Sequence, residues 1–164
     1  MFTIHNDNTS GALNPFSEFV STSPDDTFSI GKKLAGLLLP GSIVALQGVL
    51  GSGKTQLAKG IAAGLGITEN LTSPTYTIVN EYALQMSNEQ LAASGEITFY
   101  HIDVYRLEGD KNFEDIGGEE ILNSNGICVV EWSEKIYKML PDDCVTVSIE
   151  ITGEESRVIR ISNV

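Results

Sequence analysis

The chain has 164 residues, enough for one domain with a real core, and its 41% hydrophobic and 20% charged side chains are the balance of an ordinary globular protein. Ten basic residues against 22 acidic ones give a net charge of −12, which argues against this surface gripping a nucleic-acid backbone by itself. No apolar run approaches the roughly 20 residues of a membrane helix, and Met1 to Asn8 lack the basic start and apolar core of a signal peptide, so a cytoplasmic protein with no membrane partner is expected.

Residues 1–15 are polar and turn-rich and read as a flexible N-terminal tail ahead of one domain over 16–164. Phe16 to Ser21 can form a first strand. Ser23-Pro24-Asp25-Asp26 is a helix start, with a serine cap, proline at the first helical position and acids in the first turn. That helix is expected to run to about Leu39 and to bury Phe28, Leu34, Leu37 and Leu38, with Pro40-Gly41 stopping it. Ser42 to Gln47 is a short apolar strand. Gln56 to Leu65 is a helix with Leu57, Ile61 and Leu65 at helical spacing and Gly66 placed to end it.

A hydroxyl-rich stretch, Thr68 to Thr77, leads into a strand over Tyr76 to Tyr82. Gln85 to Gly95 reads as a polar connection, and Ile97 to Tyr105 as the next strand. Glu108 to Asn125 carries Phe113, Ile116, Ile121 and Leu122 as helical anchors, split by Gly117-Gly118. Gly126 to Trp132 is a second buried strand, Ser133 to Met139 a short helix closed by Pro141, and the alternation from Val145 to Ile151, returning over Arg157 to Ile161, is an antiparallel hairpin. Cys128 and Cys144 sit far apart in apolar segments and read as reduced core residues.

Between the first apolar strand and its helix lies Gly48-Val49-Leu50-Gly51-Ser52-Gly53-Lys54-Thr55, which fits G-x-x-x-x-G-K-[ST] without mismatch. Glycines let successive N–H groups turn inward on a phosphate, and the helix N-terminus adds partial positive charge. Lys54 would reach the β- and γ-phosphates, and Thr55 would offer its hydroxyl to Mg²⁺. Hydrolysis also needs an acid near the metal, and strand carboxyl ends border the ligand crevice of an α/β sheet. Two acids qualify: Glu131 ends the most apolar strand and Asp103 lies at the end of another. Either could hold Mg²⁺ or orient an attacking water. Thr72 to Thr75 could sense the γ-phosphate. His101 is open between packing and catalysis, Arg106 between phosphate and a salt bridge to Asp103, and Trp132 reads as packing. No Asn-Lys-x-Asp guanine signature is present, so adenine is expected. A small-molecule kinase on the same loop is the main alternative, although no arginine cluster follows the loop. A nucleotide-dependent binding module is the second.

Four blocks in order carry a resemblance: Leu50 to Thr55, Ser73 to Thr77, His101 to Leu107, and Ile127 to Lys135. In them the chain resembles the TsaE family of small bacterial P-loop ATPases of tRNA threonylcarbamoyladenosine synthesis. The resemblance implies an α/β, P-loop NTPase-like three-layer sandwich with a mixed, partly antiparallel central sheet. It implies ATP or ADP at Gly48, Leu50, Gly51, Ser52, Gly53, Lys54, Thr55 and Gln56, with Thr75 and Arg157 also touching the nucleotide. Thr55 and Glu131 become the Mg²⁺ ligands, Ser73 to Thr75 a switch, and Asp103, Glu131 and Lys54 the catalytic set. It further implies action with the TsaD and TsaB proteins, which hold the tRNA, and an intrinsic ATPase that is weak until those partners stimulate it. The chain departs from the family at Val49, where a polar residue is common, in a longer 85–95 connection and in its 15-residue tail.

Overall fold

The computed structural model describes residues 16–84 and 97–163. The tail and the whole 85–95 connection therefore lie outside the described residues. Seven strands form one sheet in the order β1-β7-β6-β2-β5-β4-β3. They are β1 (Phe16–Ser21), β2 (Ile43–Gln47), β3 (Val79–Leu84), β4 (Ile97–Asp103), β5 (Ile127–Glu131), β6 (Val145–Ile151) and β7 (Arg157–Ser162). The inner four, β6, β2, β5 and β4, are parallel, while β3, β7 and β1 add antiparallel flanks. The expected mixed sheet is thus observed. β2 and β5 are apolar and buried along almost their whole length because both faces of the sheet are covered there.

On one face lie α1 (Pro24–Ala35) and α2 (Lys54–Gly64), packed on Val44, Leu46, Phe99, Val129 and Val147. On the other lie α3 (Asp110–Asp115), α4 (Gly118–Leu122) and a 3₁₀ segment, Ser133–Met139, around Phe113, Ile102, Val130 and Ile136. Cys128 is buried and free, and burial pushes its thiol up to about 12, so it behaves as an inert apolar side chain. Among the described residues no helix is long and apolar enough to cross a membrane.

The helix start at Ser23 is as expected: its hydroxyl accepts from the Asp26 N–H at 3.1 Å, with Pro24 in the first turn. The helix end is not. α1 stops at Ala35, capped by Gly36, and the next N–H groups tighten onto Lys33, Leu34 and Ala35 carbonyls. Leu38 reaches the core, but Leu37 falls beyond the helix and is 45% exposed. The buried face is instead Thr27, Ile30, Gly31, Leu34 and Ala35. Ile116 is likewise not an anchor: it caps α3 just before Gly117 turns into the left-handed region, and it is exposed. The strand expected from Tyr76 begins only at Val79, because Ile78 takes a left-handed φ of 67° and Tyr76 is left in solvent.

α1 and α2 meet backbone to backbone. A Cβ on Gly60 would stand 2.1 Å from the Phe28 carbonyl oxygen, and one on Gly31 would stand 2.3 Å from that of Leu57. Gly60→Ala is expected to separate the helices and cost about 1–3 kcal/mol. The measurement is the denaturant midpoint, which should fall with an unchanged slope.

Candidate functional site

The phosphate-loop sequence lies where β2 hands over to α2, at the carboxyl end of the sheet's central strand. Gly48, Gly51 and Gly53 have φ of 149°, 77° and 111°, which ordinary side chains rarely adopt. Gly48 is doubly constrained, since a Cβ there would stand 2.6 Å from the Ser52 hydroxyl and 2.7 Å from the Ile149 carbonyl. The Val49 side chain is 62% exposed, and its carbonyl does the local work. That oxygen accepts from the Ser52 N–H at 3.1 Å and from Lys54 Nζ at 3.1 Å, while Gly48 O accepts from the same ammonium at 2.6 Å.

Lys54 is only 4% exposed, and its Nζ lies 3.8 Å from the centre of the Trp132 ring. Burial pushes its pKa below the ordinary 10.5, partly offset by the carboxylates of Glu131, Glu134 and Asp103. An ammonium held by two carbonyls and a ring face, with no carboxylate bonded to it in the described structure, suits a phosphate. Trp132, expected as packing, is thus part of the site. It takes a left-handed φ of 60° directly after β5, which turns its ring back over the loop and against Tyr105 at 4.8 Å.

The two strand-end acids stand side by side, because Asp103 and Glu131 are register partners on β4 and β5. Glu131 Oε2 accepts from the Thr55 hydroxyl at 2.9 Å, joining loop to strand. Its other oxygen, Oε1, lies 2.7 Å from His101 Nε2. His101 is fully buried beneath the site and does not line the cleft, which resolves its open assignment toward holding Glu131. Asp103 Oδ2 accepts from the Thr75 hydroxyl at 2.8 Å and Oδ1 from the Tyr105 N–H at 2.9 Å. Ser73 and Thr75 hydroxyls lie 2.8 Å apart, so the Ser73–Thr75 segment is tied directly to Asp103. Arg106 makes no ion pair with Asp103 among the described residues; its guanidinium sits 4.2 Å over the Tyr76 ring.

Lys54, Thr55, Ser73, Thr75, Asp103, Glu131 and Trp132 line a cleft of about 440 Å³ with Leu50, Gly51, Gly53, Gln56 and Lys59. A hydroxyl beside a carboxylate is the hard oxygen pair that Mg²⁺ prefers when it also binds phosphate, so Thr55 and Glu131 could hold it. A second cleft of about 430 Å³ opens on the far side of the loop between Ser23, Pro24, Thr27, Gln56 and Arg157. Gln56 crosses to it, donating to Pro24 O at 3.3 Å.

The family model described as "Threonylcarbamoyl adenosine biosynthesis protein TsaE" matches residues 21–159. The chain belongs to the TsaE family. It is 41% identical to the tRNA threonylcarbamoyladenosine biosynthesis protein TsaE of Treponema pallidum, over 87% of this chain and 98% of that protein. It is 38% identical to that of Bacillus subtilis, over 88% and 84%. The crystal structure of YdiB from B. subtilis superposes with a TM-score of 0.71 at 31% identity, over 93% of this chain and 88% of that one. The mixed sheet is therefore shared with a solved structure, and the matched span contains all the blocks that carry the TsaE resemblance.

Proposed function

We propose that this TsaE-family chain is the Mg²⁺-dependent ATPase subunit of the machinery that makes N6-threonylcarbamoyladenosine in tRNA. Its partners in this reading are the TsaD and TsaB proteins. The family description and the names of its relatives support the pathway. One observation supports the chemistry most: Thr55, at the start of α2, is bonded to Glu131 at 2.9 Å, with Asp103 in register beside it.

In this reading Leu50 to Gln56 wrap the phosphates of ATP, and Lys54 leaves the Gly48 and Val49 carbonyls to pair with the β- and γ-oxygens. Thr55 and Glu131 would hold Mg²⁺, which when bound would supply charge neutralisation to the phosphates. His101 fixes the Glu131 carboxylate, so that one oxygen stays turned to the cleft. Asp103 orients the attacking water and Thr75, now bonded to it, reports the γ-phosphate. The second cleft, on its Ser23, Pro24 and Thr27 side, takes the adenosine end. No arginine is among the described residues of the first cleft, and arginine donors are what raise turnover in such NTPases. Slow hydrolysis by the isolated chain is expected for that reason. The net charge of −12 leaves the tRNA to the partners.

The test is phosphate release from ATP with and without the TsaD–TsaB pair. Slow release that rises at least about tenfold with the pair is expected. Phosphorylation of a metabolite without partners would replace this reading by a kinase. Nucleotide binding with no turnover under either condition would replace it by a binding module.

A further inference from the structure

Arg157 opens β7 and sits 105 residues from the phosphate loop, yet its guanidinium is bonded to it. Nε donates to Ser52 O at 3.1 Å and Nη2 to Gly51 O at 3.3 Å. Nη1 donates to the carbonyls of Gly153, Glu154 and Ser156, at 3.4, 3.2 and 3.1 Å, in the β6–β7 turn. All five acceptors are backbone oxygens. A planar fork with five N–H donors can span two peptide units and a turn in this way, and an ammonium cannot.

In a trans peptide the C=O and the following N–H point in opposite directions. Holding the Gly51 and Ser52 oxygens from outside therefore turns the Ser52 and Gly53 N–H groups toward the inside of the loop. The Ser52 N–H does point inward, since it donates to Val49 O across the loop at 3.1 Å. Left to itself, a Gly-Ser-Gly segment has ample freedom to flip these peptide planes.

We propose that Arg157 is a positioning residue that presets the phosphate loop. It fastens the loop tip to the β6–β7 turn, so that the loop N–H groups face the phosphates before nucleotide arrives. Its effect on binding runs through the Gly51 and Ser52 peptides and not through contact with base or ribose. This rests on the reading of the loop as a phosphate site.

The test compares two ligands that share phosphates but not adenosine: inorganic tripolyphosphate and ADP, titrated calorimetrically against the full chain. Arg157→Met is expected to weaken both by the same factor, about 10-fold, and to speed amide exchange at residues 51–53. Arg157→Lys keeps the charge but not the fork, and is expected to recover less than half of that loss on a logarithmic scale. It also serves as the measured variant should Arg157→Met fail to fold. A loss confined to ADP would overturn the proposal in favour of direct adenosine contact, and unchanged affinity for both would overturn it outright. Lys54→Ala, titrated alongside, separates the two levels. If that variant still binds both ligands normally, the phosphate-site reading itself fails; if it loses both while the Arg157 variants lose neither, only the presetting role fails.

Discussion

Lys54→Ala is expected to weaken ADP and ATP binding at least about 100-fold, equivalent to about 2.7 kcal/mol, and to remove turnover. The same substitution is expected to leave the unliganded fold as stable as before, or more so. Both follow from one geometry. The ammonium is buried, held by Gly48 O and Val49 O and by the Trp132 ring, and burial lowers its pKa. A lowered lysine pKa means that the unfolded chain binds the proton more tightly than the folded one. Stability therefore rises with pH between the lowered value and the ordinary 10.5, and below that window the buried charge is a cost. A phosphate brought beside the ammonium reverses the balance and raises the pKa, so binding takes up a proton at alkaline pH. Affinity should fall as pH rises through the lowered value. Lys54→Arg should lack this alkaline limb, because guanidinium keeps its charge. Calorimetry in buffers of different protonation enthalpy measures the uptake directly. Unchanged ADP affinity in Lys54→Ala would remove the loop from the site.

Glu131→Gln is expected to lower Mg²⁺-dependent turnover at least about 1,000-fold, about 4 kcal/mol in the barrier, with a near-normal unfolding midpoint. The carboxamide can still accept from Thr55 and still meet His101, so the buried network closes without the charge. Glu131→Ala should lose turnover similarly and also destabilise the protein by about 1–3 kcal/mol. It strands His101 Nε2 in a fully buried setting where, among the described residues, Nδ1 already has no partner. The simpler expectation, that removing a strand-end acid spares the fold, applies only to a solvated acid, and Glu131 is 2% exposed. Full activity in Glu131→Gln together with loss in Asp103→Asn would exchange the roles of the two acids.

The local parts of this site were legible in the sequence. A strand, a glycine-rich turn and a helix are contiguous, so Gly48 to Thr55 could be placed from spacing alone. Glu131 and Asp103 were legible because each ends an apolar run, and parallel register then brings such ends together. What escaped was whatever depends on contact across the sheet. The His101–Glu131 bond joins residues 30 apart; Arg157 was placed at the nucleotide by the family resemblance alone, and its bonds to the loop carbonyls come from a strand on the other side of β6. Trp132 escaped for a different reason. Its place over Lys54 follows from a left-handed backbone angle that no residue pattern announces in a tryptophan. Leu37 and Ile116 were misplaced because spacing records which face a residue would occupy in a helix, not whether the helix has already ended.

The glycine contacts between α1 and α2 have a mechanical consequence. With Phe28 O and Leu57 O pressed against glycines, the two helices have no cushion of side chains over which to slide. The helix that begins at Lys54 is thereby clamped to α1 and, through Leu57 and Ile61, to the sheet. Across the cleft, the Thr75 hydroxyl donates to Asp103 and meets that of Ser73, while the Ile78 N–H donates to Pro74 O, the Asp103 N–H to Ile78 O and the Asn80 amide to Thr72 O. The phosphate loop is therefore mounted like a bit in a fixed chuck: α2 cannot turn or slide on α1, and a ligand meets the loop where the glycine contacts set it.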